Sequence, residues 1–303
     1  MSGARTTLGF IGLGQMGGPM ARNLLGNDTE LLIWSRRPDA CAALRAQGAR
    51  VAEGPAGMAA ARLVFLCLPD TAAVEQVLFA PGGLAEALTA GAIVVDTSTI
   101  AHGATLAIHA RLAQAGIGFL DAPVSGMQAR AEAGTLTIMC GGAADTFDAA
   151  RPWLARMGEQ ILHMGPAGCG QLAKLVNQLL FDINCAALAE ILPMAASLGL
   201  DPASTAAVVN GGTGRSYASE FFLPRILRGH FSDGYPLAAA YKDLVSAAEL
   251  GAARTVPMPV LAAATATYQM ALRAGHGKED KGAMIRVFEA LLDVRFRIAD
   301  GGG

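Results

Sequence analysis

Short apolar runs alternate with segments of helical period through the first half of the chain. Leu8–Ile11, Glu30–Trp34, Leu63–Leu68, Ala92–Asp96 and Gly118–Asp121 read as strands, with helices between them. Leu63–Leu68 is apolar at every position, which suits a strand of a parallel sheet covered on both faces. Thr135–Cys140 and Gln160–Met164 predict two more strands on the far side of that sheet. Alternating βα units of this kind predict a doubly wound, mostly parallel α/β domain.

The pattern changes after Gly165-Pro166-Ala167-Gly168. A helical stretch runs from Cys169 to about Gly199, broken by Pro193 only near its end. Ala-rich helical segments follow at Pro202–Asn210, Glu220–Arg228, Leu237–Gly251, Pro259–Ala274 and Gly282–Ile298, with no convincing strand among them. The expected organisation is therefore an α/β domain over residues 1–166 and an all-α domain over 167–303, joined by the long helix. Gly301–Gly303 reads as a frayed end.

Composition narrows the class. Apolar residues make up 52% of the 303 and charged residues 16%, an excess that favours an oligomer. The net charge is −2 with no run of like charge, which argues against nucleic acid or a membrane surface as partner. The five cysteines are odd in number and widely spaced, and neither they nor the five histidines cluster as metal ligands do, so no metal is expected. Cys67 and Cys140 read as buried thiols. No secretory leader is legible, and the expected setting is the reducing cytoplasm.

The first strand leads straight into Gly12-Leu13-Gly14-Gln15-Met16-Gly17, with a helix-compatible segment after it. A dinucleotide-binding turn has that order: the first glycine for the tight turn, the second for approach of the pyrophosphate, the third for helix–strand packing. The helix N-terminus adds unpaired N–H groups for the phosphates. At the end of the second strand stands Ser35-Arg36-Arg37, with no carboxylate before Asp39. Two guanidiniums and a hydroxyl suit a ribose 2′-phosphate better than a free 2′-hydroxyl, so NADP(H) is favoured and NAD(H) stays possible. A solvated arginine pair is the alternative.

Other polar groups follow strand ends, where such sheets bind ligands. Leu68-Pro69-Asp70 and Asp96-Thr97-Ser98-Thr99 are the first two; Thr99 reads equally as a cofactor contact or an ordinary helix cap. Ser125, Gly126 and Met127 follow the fifth run and offer a hydroxyl and backbone N–H groups to a carboxylate. On the long helix Gly170, Lys174, Asn177 and Phe181 share one face, a cation and an amide on an otherwise apolar stripe. Spacing alone leaves open a surface lysine with a structural asparagine. Lys242 opens another apolar helix. Arg130 and Arg215 are surface residues unless their loops approach a ligand.

Four motifs in chain order carry a family resemblance. They are Gly9 to Gly17, Asp121 to Gly126 with Gly134-Thr135-Leu136, Gly168 to Asn177, and Lys242-Asp243-Leu244. Together they resemble β-hydroxyacid dehydrogenases of the 3-hydroxyisobutyrate dehydrogenase and tartronate semialdehyde reductase type. The resemblance implies a Rossmann domain joined by a long helix to a helical domain, with the active site in the cleft. It implies hydride transfer between a nicotinamide cofactor and a small β-hydroxyacid or its semialdehyde, in a homodimer or homotetramer. Lys174 is then the catalytic lysine, and Ser125 and Gly126 grip the substrate carboxylate. Asn177 positions the substrate, while Thr99 and Lys242 contact the cofactor.

Two departures bear on the substrate: Met127 stands where the family carries a second glycine, and Gln178 where it often carries a second asparagine. The alternatives are an imine reductase of the same architecture, argued against by Lys174, and a decarboxylating sugar-acid dehydrogenase, argued against by Val176 where that family has histidine. A non-catalytic Rossmann scaffold is a third, and the Lys174–Asn177 pair speaks against it.

Overall fold

The computed structural model describes residues 5–298, so the closing glycines lie outside the described residues. The chain divides into two compact units, Met1–Lys174 and Leu175–Gly303.

Among the described residues the first unit holds nine strands: β1 (Thr6–Ile11), β2 (Thr29–Trp34), β3 (Arg50–Val51), β4 (Leu63–Leu66), β5 (Ile93–Asp96), β6 (Gly118–Asp121), β7 (Val124–Ser125), β8 (Leu136–Gly141) and β9 (Gly158–Gly165). They form one sheet in the order β3-β2-β1-β4-β5-β6-β8-β7, with β9 beside β8. The strands from β3 to β6 along that path pair in parallel, whereas β8 runs antiparallel to β6 and β7. Helices α1 (Gly17–Asn23), α2 (Ala42–Ala46), α3 (Thr71–Phe79), α4 (Leu84–Ala87), α5 (His102–Gln114), α6 (Met127–Ala133) and α7 (Ala144–Leu154) lie between the strands in the chain.

Alternation explains the continuous apolar runs. Leu8, Phe10, Leu31, Ile33, Leu63, Phe65 and Val95 enter one core, where Phe10 and Phe65 stack 6.0 Å apart. Ile11, Leu32, Val64, Leu66 and Val94 enter a second core on the opposite face. Successive side chains of a strand point to opposite faces, so a sheet with a core on each face needs apolar residues at every position.

The second unit is helical. It takes most of α8 (Cys169–Ser197) with α9 (Pro202–Gly211), α10 (Tyr217–Ile226), α11 (Leu237–Ala253), α12 (Pro259–Arg273) and α13 (Ile285–Leu292). Phe222, Leu223, Leu244, Tyr268 and Ile285 sit in its core. One buried ion pair lies there too: Lys281 with Asp182, at 1% and 0% side-chain exposure. The Tyr268 hydroxyl donates to Asp182 at 3.1 Å, and the Lys281 ammonium lies 4.4 Å from the Phe181 ring centroid.

Several boundaries differ from expectation. β4 stops at Leu66, although the Cys67 N–H still donates to the Ile11 carbonyl. The strands β3 and β7 have two residues each, too few to leave a period in the sequence. α8 runs through Pro193, which removes one backbone bond near the helix end but does not break it. The helix ends at left-handed Gly199 with the Leu200 N–H on the Ala195 carbonyl. α10 starts three residues early because Ser216 and Ser219 close a capping box. The last helix is shorter than predicted: a 3-10 turn, Lys281–Met284, precedes α13, and left-handed Asp293 ends it. By length and composition α8 passes as a membrane span, with mean hydropathy 1.6, but it buries Gln171, Lys174 and Asp182 as a core helix does.

Candidate active site

Sheet register gathers the strand ends. Ile11 is paired with Trp34 and Leu66, Leu66 with Asp96, and Asp96 with Asp121. The segments that follow, beginning at Gly12, Ser35, Cys67, Thr97 and Ala122, therefore leave one edge of the sheet. β1 lies between β2 and β4, where the strand order reverses, and sheets of this kind bind ligands outside the carboxyl ends at that point.

The glycine turn has three environments. Gly12 takes φ +99°, and a Cβ there would sit 2.2 Å from the Cys67 carbonyl oxygen. A Cβ on Gly17 would lie 1.9 Å from the Gly12 carbonyl oxygen, so this glycine lets α1 start hard against the turn. Around Gly14 a Cβ would meet nothing within 4 Å, which leaves that backbone open to a ligand. Among the described residues no side chain caps α1, and no acidic residue sits in its first turn. Leu13, Gln15 and Met16 complete the turn. These features fit a dinucleotide pyrophosphate.

Arg36 and Arg37 are exposed after β2, and the Arg37 N–H donates to the Ser35 hydroxyl at 3.3 Å. Neither guanidinium is in an ion pair among the described residues. A cavity of about 400 Å³ opens beside this loop; of the predicted residues it takes in only Ser35. After β4, Leu68 and Pro69 precede Asp70, which caps α3 through the Ala73 N–H at 2.8 Å. Thr99 is exposed while Thr97 and Ser98 are buried. It caps no helix: α5 begins at His102, with Ala101 in the cap position.

Ser125 ends β7, and Gly126 takes φ +142°. Met127 has φ +60°, the left-handed region. A second glycine would enter that region freely, whereas for another residue it costs roughly 1–2 kcal/mol. Met127 therefore holds a backbone conformation that glycine would enter more easily. Arg130 and Arg215 pair with Glu159 and Glu220, at 3.8 and 3.6 Å.

Two carboxyls, Asp96 and Asp121, end adjacent strands at 0% exposure. Asp96 accepts from the Ser98 N–H at 3.0 Å, while its other oxygen finds no partner among the described residues. Burial pushes its pKa up to about 7, against the pull of Ser98 and with a smaller push from the Asp121 charge. Asp121 caps α8 from outside the helix, accepting from the Gly168 and Gln171 N–H groups at 2.7 and 2.9 Å. Burial lifts Asp121 to about 6, and those N–H bonds hold it below the Asp96 value. Gly170 makes this approach possible, since a Cβ there would lie 2.4 Å from the Met139 carbonyl and 2.6 Å from that of Asp121.

Lys174 follows one turn beyond Gln171 and is 8% exposed. In the second unit Asn177 is an exposed residue of α8, and Phe181 packs against Tyr217 and Phe222. Lys242 is exposed on α11. Cys140 is buried as expected, whereas Cys67 is only partly buried; desolvation raises the Cys67 thiol to about 11 and the Cys140 thiol to about 12, which suits inert packing groups. Among the described residues no cluster of three His, Cys, Asp or Glu is arranged to hold a metal.

Residues 7–165 match the family described as the NAD binding domain of 6-phosphogluconate dehydrogenase. Residues 168–288 match the NAD-binding region of NADP-dependent 3-hydroxyisobutyrate dehydrogenase. The chain is 39% identical over 289 residues to 2-(hydroxymethyl)glutarate dehydrogenase of Eubacterium barkeri, covering 95% of this chain and 96% of that protein. It belongs to the β-hydroxyacid dehydrogenase family.

Solved structures agree. The 3-hydroxyisobutyrate dehydrogenase of Salmonella typhimurium superposes with a TM-score of 0.85 at 30% identity, over 93% of this chain and 99% of that one. Psf3, solved with NADP+ and 2-OPP, gives 0.80 at 32% identity, over 94% and 99%. An imine reductase from Pseudomonas gives 0.58 at 20% identity, over 93% and 99%, a likeness of fold alone. This β-hydroxyacid dehydrogenase is thus a nicotinamide-dependent oxidoreductase acting on hydroxyacids. Reading the sequence missed Gln171 and the capping role of Asp121. Gln171 had one signal: a polar side chain three residues before Lys174 on a helix otherwise apolar there.

Proposed function

We propose that this dehydrogenase interconverts a small β-hydroxyacid and its semialdehyde, preferring NADP(H) and using Lys174 as general acid and base. One observation carries the reading: Lys174 is buried one turn beyond a helix start that Asp121 ties to the carboxyl edge of the sheet. The glycine turn, Leu68, Pro69 and Thr99 belong to that same edge, and Arg36 and Arg37 support the preference for a 2′-phosphate.

When bound, the nicotinamide supplies or accepts the hydride. Ser125 and the backbone N–H groups beside Gly126 hold the substrate carboxylate. In reduction the Lys174 ammonium gives a proton to the developing alkoxide; in oxidation the neutral amine takes the hydroxyl proton. Positioned proton transfer of this kind is worth roughly 10²–10⁴-fold in rate. Asn177 orients the substrate, and Lys242 contacts the cofactor. The reading extends to a cytoplasmic homodimer or homotetramer, supported by the five free cysteines and by apolar side chains left exposed on α8, among them Leu180 and Ile191.

A rate panel tests the substrate class. It contains 3-hydroxyisobutyrate, glycerate, threonate and 2-(hydroxymethyl)glutarate, each with NADP+ and NAD+, and cyclic imines with NADPH. Turnover of a hydroxyacid with NADP+ preferred supports the reading. Imine reduction alone, or a clear NAD+ preference, overturns it.

A further inference from the structure

The side chain of Gln171 is 3% exposed and uses both ends of its amide. Its Nε2 donates to the Ser98 carbonyl at 2.7 Å, and its Oε1 accepts from the Ile100 N–H at 3.2 Å. The two bonds straddle Thr99, as a neighbouring strand would, and hold that exposed residue between them. The Gln171 backbone N–H is one of the two that Asp121 caps. From Ser98 the bonding continues on both sides: its N–H donates to Asp96, and its hydroxyl accepts from the Leu68 N–H at 2.8 Å. A buried chain of hydrogen bonds thus runs from Leu68 through Ser98 and Gln171 to Asp121 and the first turn of α8.

We propose that Gln171 is a positioning residue for the reaction, its side-chain amide locking the Thr99 loop in register with the turn of α8 that leads to Lys174. It touches neither reacting atom itself. The inference rests on the assignment of Thr99 to the cofactor and Lys174 to proton transfer. Small errors of register at such a site are expensive, because a 1 Å displacement of a reacting group can cost about 10²-fold in rate. An apolar side chain of similar volume would fill the space but leave the Ser98 carbonyl and Ile100 N–H without their partner.

Two variants of the full-length enzyme test it. Gln171→Leu removes both bonds; kcat is expected to fall by about 10- to 100-fold and the NADPH Kd to rise by about tenfold, while the protein stays folded at assay temperature. Gln171→Glu is conditional. Protonated, its carboxylic acid donates to the Ser98 carbonyl and accepts from the Ile100 N–H as glutamine does; ionised, it sets oxygen against oxygen. Its kcat relative to wild type should therefore be near one at the acidic end and fall steadily as the pH rises. The titratable groups around it, Asp96, Asp121, Lys174 on the same helix and His102 beside Gly168, occur in both proteins, so they set the pH at which the ratio falls and not the direction of the fall.

A purely structural glutamine would shift the melting temperature without moving kcat or the ratio. If both variants keep wild-type kcat and NADPH Kd at every pH, the proposal is overturned. Should the leucine variant fail to fold, the glutamate variant's ratio across the pH range decides alone: a fall as the pH rises supports the proposal and a flat ratio overturns it. On the assignment of Lys174 to proton transfer, NADPH affinity is expected to be independent of Lys174. Loss of affinity in the Gln171 variants, together with full activity in Lys174→Ala, would refute the proton-transfer assignment and leave the Thr99 clamp standing.

Discussion

Gly14 and Gly17 stand three residues apart in one motif, yet their substitution should fail in opposite ways. A Cβ at Gly14 meets nothing within 4 Å, and its backbone lies outside the left-handed region. Gly14→Ala should change stability by no more than about 0.5–1 kcal/mol, with the stiffer unfolded chain acting in its favour. The same methyl would occupy the approach to the pyrophosphate. Losing one charge-assisted bond costs roughly 1.5–3 kcal/mol, a rise in NADPH Kd of about 10- to 100-fold. At Gly17 the new Cβ would lie 1.9 Å from the Gly12 carbonyl and 3.1 Å from the Cys67 Cβ. Backbone has to move, and Gly17→Ala should destabilise by about 1–3 kcal/mol or more. Denaturant melts and NADPH fluorescence titrations separate the two. Unchanged NADPH binding in Gly14→Ala, or a melt as low as that of Gly17→Ala, would refute the assignment of this turn.

Three further outcomes follow from particular contacts. Asp96 has an ordinary value of 3.8 in the unfolded chain and about 7 in the fold, so the folded state holds its proton more tightly. Its stabilising contribution is full below about pH 4 and is lost as the pH climbs through 7. Asp96→Asn should match wild type near about pH 3 and be more stable near about pH 9 by a few kcal/mol, at about 1.4 kcal/mol per pKa unit. Equal melts at the higher pH would contradict this. In the helical unit, Lys281→Met should cost about 3–5 kcal/mol by stranding the Asp182 carboxylate, and adding Asp182→Leu should recover most of it, as chemical denaturation would record. Arg36→Glu should raise the NADPH KM by about 10- to 100-fold with little change for NADH; equal losses with both cofactors would reassign that arginine.

The legible parts of this molecule were those governed by local pattern. Apolar runs such as Leu63–Leu66 announced strands because both sheet faces are buried, and the glycine turn announced itself because Gly12 and Gly17 leave no room for a Cβ. What escaped depends on pairing across long stretches of chain. The two-residue strands β3 and β7 exist through their neighbours, and α10 begins where a serine pair caps it rather than where its apolar period starts. Gln171 lies 73 residues from Ser98 in sequence, so no spacing rule connects them. Met127 shows a third kind of limit. Its departure from glycine was visible, but the left-handed backbone it takes is a property of the fold around it.

Lys174 is the residue on which the catalytic account turns, and Lys174→Ala measured alongside NADPH binding tests it most directly. Turnover should fall by roughly 10²–10⁴-fold with the preferred hydroxyacid, while NADPH Kd stays at its wild-type value. Near wild-type turnover, or loss of NADPH binding in step with activity, would contradict a proton-transfer role for this lysine.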